Sequence, residues 1–102
     1  MNTTKKGSVR CIVFKEENIW YGVALEFNIV ESGDDSDVVF FNLNEAIQGY
    51  VESQKKIKGL RLAPLNQKSD PEYESLWKDL EEDKPLPSPI TVKHFGYTSL
   101  VA

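Results

Sequence analysis

Between Trp20 and Val51 the chain reads WYGVALEFNIVESGDDSDVVFFNLNEAIQGYV: an alternating apolar run, a tight acidic turn, then one long amphipathic segment. A strand presents every second residue to one face, whereas a helix repeats its apolar face every three to four residues. The change of period across the turn therefore predicts strand followed by helix. That order suits an antiparallel sheet with a single helix laid over one of its faces.

The neighbouring residues extend this reading. Residues 9–14 (VRCIVF) and 19–25 (IWYGVAL) are short runs rich in β-branched and aromatic side chains, separated by the polar loop Lys15, Glu16, Glu17, Asn18. They read as a β-hairpin. A third strand over roughly residues 28–31 makes a meander and ends at Gly33, a residue free to adopt the positive φ of a sharp exit. Asp35 or Ser36 can cap the helix by accepting from its first unpartnered N–H groups, and Asp34, Asp35 and Asp37 suit the positive end of its dipole.

In that helix Val39, Leu43, Ala46, Ile47, Tyr50 and Ile57 share one face, flanked by Phe40 and Val51, with Asn44, Glu45, Gln48, Glu52 and Lys55 opposite. The expected end is Lys58, where Lys55, Lys56 and Lys58 complement the negative pole and Gly59 serves as the cap. Such a helix is roughly 33 Å long, and strands of seven residues reach only about 23 Å. Its last turns must overhang the sheet and find other contacts.

Beyond Gly59, residues 60–84 read as an insertion with its own helix. Asp70 can cap it, Pro71 is favoured at the first helical position and Glu72 suits the first turn. Tyr73, Leu76, Trp77 and Leu80 follow at the spacing of one apolar face, which must dock somewhere. Residues 81–89 (EEDKPLPSP) form an extended surface connection, and 90–95 (ITVKHF) the last strand, with Ile90 and Val92 on one face and Thr91 and Lys93 on the other. The expected fold is α+β: a three- to four-stranded, mainly antiparallel sheet covered on one face by a long helix. It forms a single domain over 1–102, with its core at about 8–58 and 90–95.

Composition bounds the function. At 102 residues one domain fits, burying roughly two thirds of the surface of the unfolded chain. The net charge of −4 argues against non-specific phosphate binding, which needs a surplus of lysine and arginine on one face, and it suits a basic partner. Cys11 is the only cysteine, so an intramolecular disulfide is impossible and nothing asks for an oxidising compartment. No run approaches the ~20 apolar residues of a membrane span, and residues 1–8 lack the apolar core of a signal peptide. A cytoplasmic protein is expected.

The residues of the second strand (Trp20, Tyr21, Gly22, Val23, Ala24), the turn Gly33, Asp34, Asp35, then Ser36 and Asp37, and the helix spacing Leu43, Glu45, Ala46 resemble the HicB-type antitoxin domain of type II toxin-antitoxin systems. The resemblance spans residues 12–51, and the PLPSP approach to the last strand resembles that family too. It implies a β-β-β-α-β unit with a partial ribonuclease-H-like fold. It also implies a function: binding a small basic RNA-cleaving toxin of the HicA type and covering its catalytic histidine. Antitoxins of this family often carry a C-terminal DNA-binding segment. This chain has no basic recognition helix after Gly59, so direct DNA binding is not expected and any operator binding falls to a partner.

No catalytic residue, cofactor site or metal ligand is assigned. His94 and Cys11 are each single, so a His–Cys metal cluster is impossible and a catalytic pair needs them to meet in space. Cys11 reads as a small buried hydrophobe and His94 as a half-buried strand residue. An active ribonuclease-H-type nuclease holds divalent cations with several converging carboxylates. Here Asp34, Asp35 and Asp37 belong to a helix start, and only Glu26 and Glu31 lie near strand ends.

Apolar side chains at both parities of the first two strands require cover on both faces of the sheet. The inserted helix, the tail (Tyr97, Leu100, Val101) or a second copy can provide it. Phe41 projects from the otherwise polar side of the long helix. Trp20, Tyr21, Phe41, Tyr73 and Trp77 are therefore the candidate contacts with a partner or within a homo-oligomer. The expected function is a non-catalytic antitoxin; a stand-alone interaction domain without a toxin is the alternative, and a metal-dependent nuclease a remote third.

Overall fold

The computed structural model describes residues 2–3, 6–56, 63–87 and 89–101, without the side chains of residues 6, 63 and 101. Strands β1 (Lys6–Glu16) and β2 (Ile19–Ala24) form a hairpin, a 3-10 turn over Leu25–Phe27 leads into β3 (Ile29–Gly33), and helix α1 (Ser36–Lys55) follows. A second 3-10 turn (Ala63–Leu65), helix α2 (Pro71–Glu81) and β4 (Thr91–Val101) complete the chain. The four strands lie in the order β3-β2-β1-β4, with every neighbouring pair antiparallel. This is the α+β architecture expected from the pattern of apolar residues.

The hairpin loop is shorter than the sequence implies. Lys15 and Glu16 remain in the ladder opposite Trp20 and Ile19, leaving Glu17 and Asn18, both at positive φ (52° and 70°). That is the type I′ turn, whose twist matches the strands it joins. The left-handed residue also lies elsewhere: Asn28, at the entry to β3, takes that conformation (φ 54°), whereas Gly33, at the exit toward α1, is not at positive φ. Asparagine is one of the few residues besides glycine that visit this region routinely; here its Nδ2 donates across to Gln67 Oε1 and to the Lys68 carbonyl.

Gly33 instead closes β3, and its lack of a side chain serves packing: a Cβ there would stand 3.2 Å from Val39 Cγ2. Gly22 is tighter, with 2.9 Å to Val39 Cγ1 and 3.3 Å to Leu43 Cδ2. Two glycines thus let the first turns of α1 approach the sheet.

Asp35 caps α1, accepting from the N–H groups of Asp37 (2.8 Å) and Val38 (3.2 Å). Val39, Leu43, Ile47 and Val51 are buried along its inner face, the last three against Val9, Cys11, Ala24, Phe27, Leu65 and Leu100. Each such aliphatic side chain contributes roughly 1.5–3 kcal/mol relative to exposure. The end expected at Lys58 with Gly59 as cap, and Ile57 on the apolar face, lie outside the described residues. β1 and β4 run 11 residues each instead of seven, which removes the length mismatch behind the expected overhang; towards the end of α1 the Tyr50 hydroxyl donates to the Pro64 carbonyl and accepts from Gln67 Nε2, both at 2.8 Å.

The opposite face of the sheet is covered by α2. Asp70 caps this helix through the Glu72 N–H (2.9 Å), with Pro71 at its start. Leu76 and Trp77 are buried against Ile12, Phe14, Val23 and Leu25, with Tyr21, Tyr73 and Leu80 packed around them. The chain passes between the two faces beneath the Leu25–Phe27 turn, where the Gln67 N–H donates to the Glu26 carbonyl at 2.8 Å.

This extra helix also sets the direction of the last strand. From the end of α1 a direct entry into β4 would run parallel to β1. With α2 returning the chain, β4 enters opposite Lys15 and runs antiparallel to Val101. The tail is therefore strand, not a flap: Tyr97 and Leu100 belong to β4. A bulge places Val92 opposite Phe14 but His94 opposite Val13, leaving Lys93 as the extra residue.

Candidate functional site

The groups with intrinsic reactivity are occupied by structure. Cys11 Sγ is buried beside the Val9 carbonyl (3.8 Å) and Thr98 Oγ1 (3.4 Å), and burial pushes its thiol up despite the Thr98 contact. In the ladder Cys11 faces Gly96 while His94 faces Val13; His94 is exposed, not half-buried as expected, with one side of its ring on Phe40, 4.6 Å between centroids. Glu26 receives the backbone N–H of Arg10 (2.8 Å) and its guanidinium Nε (2.6 Å). Among the described residues no three His, Cys, Asp or Glu side chains are placed to hold one metal ion.

The five aromatic residues picked out by sequence separate into four settings. Trp77 is 5% exposed, edge-on to Phe95 and Tyr97; it is a core residue of the α2 face, not a free contact. Its position follows from the helical spacing that puts it beside Leu76 on the docked face. Trp20 is half-buried on the α1 side, with Lys15 Nζ 5.8 Å from its ring centroid. Tyr21 and Tyr73 are half-buried around Phe14, whose centroid lies 5.5 Å from Tyr21 and 6.3 Å from Tyr73.

Phe41 stands apart at 63% exposure, and Val38, one turn earlier, at 55%. The two share the outer face of α1, where Asp37 and Glu45 lie one turn either side of Phe41. Asp34, Asp37, Asn42 and Glu45 are all exposed. The result is an apolar pair in an acidic surround.

A second feature was not legible as a site in the sequence. Phe14, Tyr21, Tyr73 and Leu76 floor a cleft of about 380 Å³ between the sheet and α2, and Glu16, Glu72 and Asp79 also line it. Burial raises the Tyr73 hydroxyl, and the nearby charges of Asp70, Glu72 and Glu16 add to the effect. The docking of Tyr73 was readable from its spacing. That Glu16 from the hairpin would meet α2 was not, because it depends on how the helix crosses the sheet.

Arg10 is the remaining polar centre. Its guanidinium lies 5.7 Å from the Trp77 ring centroid, with Glu26 on one side and Glu74 on the other. Burial alone would lower its pKa, but hydrogen bonds and charge from Glu74 and Glu26 leave it raised.

Comparison of the chain with protein-family models, with curated proteins and with solved structures finds no match. The resemblance to HicB-type antitoxins accordingly rests on the residues quoted above. No helix among the described residues is long and apolar enough to cross a membrane.

Proposed function

We propose that this chain is a non-catalytic binding domain of the HicB-like antitoxin type, acting on a small basic RNA-cleaving protein by covering its surface. The observation that carries this reading is the exposed Val38–Phe41 pair within the acidic outer face of α1. An apolar anchor ringed by charge is how protein interfaces combine affinity with steering: the aromatic supplies burial, and the carboxylates accelerate encounter with a basic partner. The net charge of −4 acts in the same direction. The three-strand meander, Gly33–Asp34 turn and long helix support the antitoxin type.

The reading extends to a homo-oligomer. Among the described residues the outer edge of β4 pairs with no other strand along its 11 residues, and an open edge of that length is a template for a second copy.

The test is co-expression with the product of a neighbouring reading frame that encodes a small basic protein. Relief of its growth arrest by this chain, lost in Phe41→Glu and Val38→Asp without loss of folding, supports the proposal. The free chain and complex are then compared at 50 and 300 mM salt, with weaker and slower association expected at the higher concentration. Relief and affinity unchanged in both variants would remove the α1 face from the reading. If no such neighbour exists and no basic protein binds, a stand-alone interaction domain takes its place.

A further inference from the structure

The α2 face of the sheet already shows how this protein holds a guanidinium. Arg10 lies over the Trp77 indole, its Nε 2.6 Å from Glu26 Oε2 and its Nη2 donating to Glu74 Oε2 at 3.1 Å. Glu74 Oε1 is buried, with the same guanidinium as its ion-pair contact. One aromatic face and two carboxylates thus accommodate one planar cation.

The opposite flank of α2 repeats these components without the cation. Glu74 and Trp77 point to the Arg10 side; Glu72, Leu76 and Asp79, about half a helical turn away, line the cleft. Its aromatic surface comes from Phe14, Tyr21 and Tyr73, and its charge from Glu16, Glu72 and Asp79. No described lysine or arginine lines it. Its volume of about 380 Å³ lies within the range of ligand sites, roughly 300–1,000 Å³. Phosphates and carboxylic acids are repelled by this lining, whereas a delocalised cation gains both the ring quadrupoles and the carboxylates.

We propose that this cleft binds an arginine side chain presented by a basic polypeptide, its guanidinium against the Tyr21 and Tyr73 rings and neutralised by Glu16, Glu72 and Asp79. The occupant is polypeptide because the internal counterpart is itself an arginine on a chain, and because the negative net charge favours a basic segment over a lone residue. The inference stands apart from the antitoxin reading: the cleft lies on the α2 face and the Phe41 surface on α1, so either can fail without the other.

The experiment titrates the isotope-labelled full chain with acetylated Gly-Arg-Gly-Arg-Gly, following the Tyr21 and Tyr73 ring resonances. Peptides with citrulline in place of arginine, and N-acetyl-arginine methylamide, are run in parallel. Saturable ring shifts with the arginine peptide, absent with its neutral citrulline isostere, are expected. Glu16→Gln combined with Asp79→Asn, and separately Tyr73→Leu, should each weaken binding about ten-fold while the thermal midpoint of the carboxamide variant is kept. Equal response to citrulline, shifts confined to other residues, or unchanged affinity in the carboxamide variant would overturn the proposal. Binding of the methylamide as tightly as the peptide would overturn its polypeptide occupant.

Discussion

Gly22 offers the sharpest test of how α1 seats on the sheet. A Cβ at this position would stand 2.9 Å from Val39 Cγ1 and 3.3 Å from Leu43 Cδ2. Carbon atoms pack best at roughly 3.5–4.0 Å, so Gly22→Ala forces a displacement of about 0.6–1.1 Å. Leu43 can yield at its end. Val39 cannot turn away easily, because a β-branched side chain in a helix has one strongly preferred rotamer.

Overpacking of this size costs about 1–3 kcal/mol, and replacing a strand glycine by alanine returns about 0.5–1 kcal/mol. Gly22→Ala should therefore destabilise by about 0.5–2 kcal/mol. Val39→Ala alone costs roughly 2 kcal/mol, which a domain stable by about 5–15 kcal/mol survives. In that background the offending methyl is gone, and Gly22→Ala should become stabilising by about 0.5–1 kcal/mol. Urea denaturation of the four proteins reads the cycle, with midpoints moving and slopes constant. Additivity within about 0.5 kcal/mol would refute the close approach of α1 to β2.

Four further outcomes follow from the packing. Trp77→Ala should cost about 3–5 kcal/mol and lower the thermal midpoint by more than about 12 °C, whereas Phe41→Ser should stay within about 0.5 kcal/mol; similar values for both would show that α2 does not cover the sheet. Asp35→Ala should lose about 1 kcal/mol, read by urea titration, with Asp35→Asn largely restoring the cap. Arg10→Met leaves Glu26 and Glu74 without their cation and should destabilise by about 1–2 kcal/mol, less at 1 M salt. Burial pushes the Cys11 thiol up, so the unfolded thiol, ionising near 8.5, releases its proton first; stability should be full below about pH 8.5 and fall above it, a decline that Cys11→Ala flattens.

The legible part of the fold was the part governed by local periodicity. The period-two runs gave β1 and β2, and the Val39, Leu43, Ile47 spacing gave the buried face of α1. Asp70 and Pro71 marked the start of α2. Misplaced features were those set by tertiary pairing. Residues 97–101 (YTSLV) do not alternate apolar and polar as a half-buried strand does, and their place in the sheet is fixed by β1 reaching back to Lys6. Gly33 looked like a turn residue because glycine permits positive φ, while the actual demand was room for Val39.

The candidate contacts divide on the same principle. Phe41 was visible as an apolar residue on a polar helical face, and it is exposed. Trp77 could not be distinguished from a surface aromatic until the α2 face had a place to dock. The cleft combines residues from β1, β2, α2 and the approach to β4, and no local pattern brings those together.

One sheet is sandwiched between two helices of its own chain. Nuclear Overhauser contacts from the Trp77 indole test it most directly, measured on a sample mixing labelled and unlabelled chains. Cross-peaks are expected to the Phe95 and Tyr97 rings, whose centroids lie 5.7 and 5.4 Å away, all within one molecule. Absence of those cross-peaks, or their appearance only between molecules, would contradict it.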